Sequence, residues 1–115
     1  CVVDDAAAYG RIIKDEHGRV CKIVEAVDAT AEELAVGEYN TGVFCFRTER
    51  LIEALENLTT DNKQGEYYLT DTVAWLVQEG HPVEAVITED PDEVVGINTV
   101  DELSAAADLL ANRDS

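Results

Sequence analysis

Methionine is absent from the 115 residues, tryptophan occurs once and proline twice. A translated chain starts with Met, whereas this one opens on Cys1-Val2-Val3, which reads as the middle of a strand; the expectation is a trimmed or partial chain. Basic residues are scarce. Eight Lys and Arg stand against 25 Asp and Glu, for a formal net charge of −17. A polyanion of this strength does not hold duplex nucleic acid or anionic lipid through its overall field. No apolar run approaches the roughly 20 residues of a membrane helix, and no basic-then-apolar signal segment opens the chain. Neither nucleic acid nor membrane is expected as a partner.

The cysteines, Cys1, Cys21 and Cys45, are odd in number and include no Cys-x-x-Cys pair. Neither a disulfide framework nor a zinc site follows, and a reduced, cytoplasmic setting fits best. Cys45 lies in the apolar run Val43-Phe44-Cys45-Phe46 and reads as a small buried hydrophobe rather than a nucleophile. His17 sits in a turn signal and His81 at a helix exit, and neither has a Cys or His at ligand spacing.

What is present is a normal hydrophobic content of 46%, enough for one globular unit despite the charge. Arg11 to Lys14 and Val20 to Glu25 flank a turn at Gly18 and read as a hairpin. Thr30-Ala31-Glu32-Glu33 is a capping-box pattern opening a short helix to about Val36. Tyr39 to Phe46 reads as a buried strand. Thr48 to Leu58 has helical spacing, with Leu51, Ile52, Leu55 and Leu58 inward. Leu69 to Glu79 is a second long helix, with Val73, Leu76 and Val77 inward and Gly80 and Pro82 as stops. Val83 to Thr88 reads as another strand. Thr99-Val100-Asp101-Glu102 is a second capping box, opening a helix through Leu103, Ala106, Leu109 and Leu110. Alternating strands and helices indicate an α/β arrangement.

No Gly-rich phosphate loop or nucleophilic triad stands out, and Glu89-Asp90-Pro91-Asp92-Glu93 lacks the ligand alternation and central Gly of a calcium loop. Two places break bland patterning. Asn40 and Gly42 interrupt an apolar strand; this suits a polyhydroxylated ligand approaching the backbone, or else a bulge with Asn40 bonded to backbone. Glu66 to Thr70 precede a helix whose first N–H groups favour anions, or else Thr70 simply caps that helix.

Tyr9-Gly10-Arg11-Ile12, Ile23-Val24-Glu25 with Asp28-Ala29-Thr30, Asn40-Thr41-Gly42, Gln64-Gly65-Glu66-Tyr67-Tyr68-Leu69-Thr70-Asp71 and Gly96-Ile97-Asn98 occur in that order. Together, from Asp4 to about Leu110, they resemble the bacterial N-acetylglucosamine-1-phosphate uridyltransferases, or UDP-N-acetylglucosamine pyrophosphorylases. The match is to the C-terminal half of the uridyltransferase domain. That half belongs to a Rossmann-like (GT-A-like) nucleotidyltransferase fold with a mixed sheet and flanking helices. The resemblance implies a single partial domain over residues 1–115 that is the sugar-binding half of the enzyme and is inactive alone. It implies that the Gly10 backbone meets the N-acetyl or sugar group, that Glu25 and Asn40 bond sugar hydroxyls, and that Thr70 lies near the sugar phosphate. Asn98 would help hold Mg²⁺ with an Asp from the other half. The implied reaction joins UTP and N-acetylglucosamine 1-phosphate into UDP-N-acetylglucosamine and pyrophosphate, a cytoplasmic step toward peptidoglycan and the cell wall. Alternatives are a related hexose-1-phosphate thymidylyl- or uridylyltransferase, or a stand-alone module that binds sugar nucleotides without catalysis. Exposed sheet edges would favour a homo-oligomer.

Overall fold

In this computed structural model the described residues are 1–2 and 8–113. Val3 of the opening run, and Asp4, where the resemblance starts, lie outside them.

The hairpin forms as the alternation requires. Strand β1 (Arg11–Lys14) runs antiparallel to β2 (Val20–Val24), with Arg11 opposite Val24 and Ile12 opposite Ile23, and a bulge between Ile13 and Lys14. The turn is locked by Asp15, whose Oδ1 accepts the N–H groups of His17 and Arg19 at 2.8 and 2.9 Å. Those bonds, chiefly the one from Arg19, hold the Asp15 carboxyl below its ordinary pKa. Gly18 supplies the left-handed φ of 77° that closes the loop.

Helix α1 (Ala31–Leu34) starts at the expected capping box: Thr30 Oγ1 accepts from Glu33 N–H at 3.2 Å, and Glu33 Oε1 accepts from Thr30 N–H at 3.0 Å. Helices α2 (Thr48–Glu56) and α3 (Asp71–Gln78) follow the expected apolar spacing with slightly shorter bounds. Helix α4 (Val100–Arg113) opens at the second capping box, where Thr99 Oγ1 accepts from Glu102 N–H at 3.1 Å. The core lies where α3 covers the hairpin: Val20 and Ile23 of β2 meet Val73 of α3, with Ile12, Phe44 and Val83 against them.

The architecture is therefore mixed α and β, with one two-stranded antiparallel sheet and four helices among the described residues. Two strand expectations are corrected. In the Tyr39-to-Phe46 run only Tyr39, next to Glu38, makes a bridge: Glu38 faces Val2, and Tyr39 faces Arg11. Beyond them Asn40 still bonds the Gly10 carbonyl through its N–H, but residues 41–46 form no strand. Val83 to Thr88 is likewise not a strand. The β-branched and aromatic residues are there, but a strand also needs a neighbouring ladder, and the described residues offer neither segment one. Period-2 alternation survives regardless. Phe44 and Phe46 are half-buried with ring centroids 5.4 Å apart, while Val43 and Cys45 face outward. That places Cys45 on the surface, against the expectation of a buried thiol.

The inward faces of α2 and α4 are also incompletely covered. Ala54 is the buried residue of α2, while Ile52 and Leu55 are exposed; α4 buries none, and Leu103 and Leu110 are exposed. No helix among the described residues is long and apolar enough to cross a membrane.

Candidate functional site

The site is assembled from the exit of β2, the entry of β1 and the start of α3. Glu25 follows β2 in extended conformation (φ −68°, ψ 146°), ahead of a single 3₁₀ turn at Ala26–Asp28. Opposite it, Gly10 precedes β1 and is buried. A Cβ at Gly10 would stand 3.3 Å from the Val24 carbonyl oxygen and 3.5 Å from Glu25 Oε2. Glycine thus lets the backbone lie directly against the carboxylate. The Gly10 carbonyl accepts from Asn40 N–H at 2.8 Å, which seats Asn40 beside it.

From the third side, Thr70 donates its hydroxyl to Glu25 Oε1 at 3.0 Å across 45 residues of chain. Thr70 is buried and makes no side-chain cap for α3, so the simple capping reading fails here. The anion reading of the α3 start also loses its donors. The N–H groups of Asp71, Thr72 and Val73 are taken by the carbonyls of Tyr68, Leu69 and Thr70. Gly10, Glu25, Asn40 and Thr70 are therefore brought together, with Glu25 at the centre.

Asn40 is half-buried, and its Oδ1 accepts from Gly42 N–H at 3.1 Å, the backbone bond weighed as its alternative role. Gly42 adopts φ 82°, so the pair forms a turn in which Gly is the favoured residue. Asn98 stands apart from the four: it is exposed, and its N–H donates to the Glu102 carboxylate at 2.5 Å.

The surroundings are acidic. Burial first, and then the charges of Asp28 and Glu25, push the Asp71 carboxyl above its ordinary pKa. Burial, with Asp28 the foremost charge, likewise raises the Tyr68 phenol. Asp28 Oδ1 accepts from Lys63 N–H at 2.8 Å, tying the 61–66 loop to the site. Sequence reading missed Asp28 and Tyr68 as site neighbours. For Tyr68 the signal lies in the Gln-Gly-Glu-Tyr-Tyr-Leu-Thr-Asp block, and for Asp28 in Asp28-Ala29-Thr30.

An Mg²⁺ ion takes near-octahedral oxygen ligands, commonly one or two carboxylates plus phosphates and water. Asn98 offers one amide oxygen, and no group of three His, Cys, Asp or Glu among the described residues could hold a metal. These residues do not make an Mg²⁺ site by themselves. A cleft of about 1040 Å³ lies elsewhere, between the segments 39–47 and 81–88, and of the five candidate residues it touches only Asn40. Core residues Val20, Ile23 and Val73 line it, so it is an uncovered part of the core rather than a polar ligand pocket.

With that geometry in view, kinship can be stated. The chain is 48% identical over 109 residues to the bifunctional protein GlmU of Limosilactobacillus fermentum, 46% over 111 residues to that of a Bacillus cereus strain, and 45% over 112 residues to that of Clostridium beijerinckii. The chain is similar to GlmU proteins over nearly its whole extent. These matches cover 95–97% of the chain but only 24% of each GlmU protein, so it spans about a quarter of their length. No protein-family model matches it. All five candidate residues fall within a segment that aligns with GlmU over nearly its whole extent.

Proposed function

We propose that the chain is the sugar-binding half of a GlmU-type uridyltransferase, a nucleotidyltransferase that makes UDP-N-acetylglucosamine and pyrophosphate from UTP and N-acetylglucosamine 1-phosphate. The observation that carries this reading is the convergence of Gly10, Glu25, Asn40 and Thr70 in a GlmU-like chain. Glu25 is held from one side by Thr70 and approached from the other by a glycine backbone. A carboxylate of fixed orientation accepts from a sugar hydroxyl, and an amide both donates and accepts. Such a site orients the sugar phosphate and needs no protein nucleophile, because positioning supplies much of the acceleration.

Charge supports the same division of labour. Glu25, Asp28 and Asp71 repel phosphate, so this cluster suits the sugar rather than the triphosphate of UTP, and Asn98 would contribute one oxygen toward an Mg²⁺. The hexose-1-phosphate alternative gains no support from the relatives named above.

Asn40→Ala in the full-length parent enzyme tests the reading. Losing one hydrogen-bonding partner of a bound sugar costs about 1–3 kcal/mol, a drop of about fivefold to 150-fold in kcat/KM for the sugar phosphate. KM for UTP and the melting temperature stay near their original values. Unchanged use of the sugar phosphate would return Asn40 to its backbone bond with Gly42.

A further inference from the structure

Gly96 donates its N–H to the Tyr9 hydroxyl at 3.1 Å, across 87 residues of sequence. The fit admits nothing larger: a Cβ on Gly96 would lie 2.9 Å from Tyr9 Oη and 3.3 Å from the ring edge. Real Cβ contacts do not approach so closely without displacement. Tyr9 is itself held at two points, and its neighbour at a third. Its ring lies 4.7 Å from the ring of buried Tyr39, its carbonyl accepts from the Arg11 guanidinium, and its neighbour Gly10 accepts from Asn40 N–H. Val94, just before the Gly96 loop, packs against the same Cys1–Tyr39 cluster. One aromatic hydroxyl therefore ties the loop carrying Asn98, two residues beyond Gly96, to the backbone that presents Gly10.

We propose that Tyr9 is a positioning residue, whose hydroxyl fixes the Gly96–Asn98 loop against the sugar site, with Gly96 as the one residue that fits beneath it. This rests on the uridyltransferase reading above, and it assigns Tyr9 no contact with substrate. Without the hydroxyl, the loop and Asn98 sample positions unproductive for the phosphates, while the Tyr9 ring still stacks on Tyr39.

The test uses the full-length parent enzyme with Tyr9→Phe, Gly96→Ala, the double variant and Asn98→Ala. Three readouts are taken: amide hydrogen exchange over 94–99, UDP-N-acetylglucosamine affinity by calorimetry, and kcat and KM with both substrates. Tyr9→Phe is expected to speed exchange in that peptide and lower kcat by about fivefold to tenfold, the scale of one lost hydrogen bond. The melting temperature and the KM for UTP hold. Gly96→Ala is expected to be worse, and removing the hydroxyl to relieve it, so that the double variant loses less than the product of the single losses. Multiplying losses, or unchanged exchange and kcat in Tyr9→Phe, overturn the proposal. If Asn98→Ala impairs turnover while Tyr9→Phe changes nothing, the positioning role alone fails. If Asn98→Ala changes nothing, the placement of Asn98 at the site fails and this inference with it.

Discussion

Glu25 is the residue on which the site turns, and its environment explains why Thr70 is not a helix cap. A threonine at a helix start ordinarily turns its oxygen back to the N–H two or three residues on. Here those N–H groups are already bonded within the preceding turn, and the hydroxyl is free to reach across to β2. Thr70→Val keeps the shape and removes the donor, leaving a carboxylate oxygen without its partner. The expected cost is about 1–3 kcal/mol, read as a lower melting temperature of the parent enzyme together with weaker binding of UDP-N-acetylglucosamine. Thr70→Ser, which retains the hydroxyl, restores both. If Val and Ser behave alike, the hydrogen bond does not organise the site. In sequence, Asn40 and Thr70 stand out as breaks in patterning, whereas Gly10 and Glu25 are pointed to only by the resemblance; the structure adds that the four lie together. The Thr70–Glu25 bond was not legible, since nothing local to either residue says that the end of β2 passes the start of α3.

Among the elements, those decided by near neighbours were readable and those decided by distant partners were not. Both capping boxes, the Gly18 turn and the apolar stripe of α3 are local, and each formed where the pattern placed it. The runs at 39–46 and 83–88 have equally strong strand composition, yet pairing is a tertiary property, and beyond the Tyr39 bridge neither forms a strand. The caps and the site also titrate in opposite directions. Glu33 titrates below its ordinary value of 4.5, chiefly through the Thr30 N–H bond and then Lys22. A depressed carboxylate favours the fold above its unfolded pKa, and that contribution fades as pH falls below about 4.5. Asp71 is raised above 3.8 by burial, then by Asp28 and Glu25. Its folded form holds the proton more tightly, so ionising it works against the fold as pH rises past 3.8. Carboxyl-carbon NMR on the chain should show the Asp71 midpoint above 3.8 and the Glu33 midpoint below 4.5. In Glu25→Gln, the Asp71 midpoint should fall part of the way back, burial being the larger cause. A midpoint for Asp71 at or below 3.8 would remove the acidic neighbourhood from the site.

At the scale of the whole molecule, two opposing properties meet. The accessible surface is 8109 Å² and the radius of gyration 15.5 Å. A finished monomer of this mass is expected near about 6200 Å², and one of this length near about 13 Å. The excess is apolar in part: Val43 is 78% exposed, Val86 95% and Val100 81%, while Ile52, Leu103 and Leu110 lie open on α2 and α4. A further layer of chain laid over these faces would bury them, and so would a second copy. Against association stands the charge of −17, which makes two copies repel. Salt decides between the two, because it screens surface charge over about 10 Å at 0.1 M while leaving apolar attraction in place. The isolated chain is therefore expected to associate with rising concentration in sedimentation experiments, and more strongly as salt is added. Val43→Lys with Val86→Glu places charges on the two unpaired segments and should shift the chain back toward monomer at every salt concentration. A chain that stays monomeric at high salt and high concentration would mean that these faces are solvated as they stand. Association that weakens with salt would mean that ion pairs, not the uncovered core, bring the copies together.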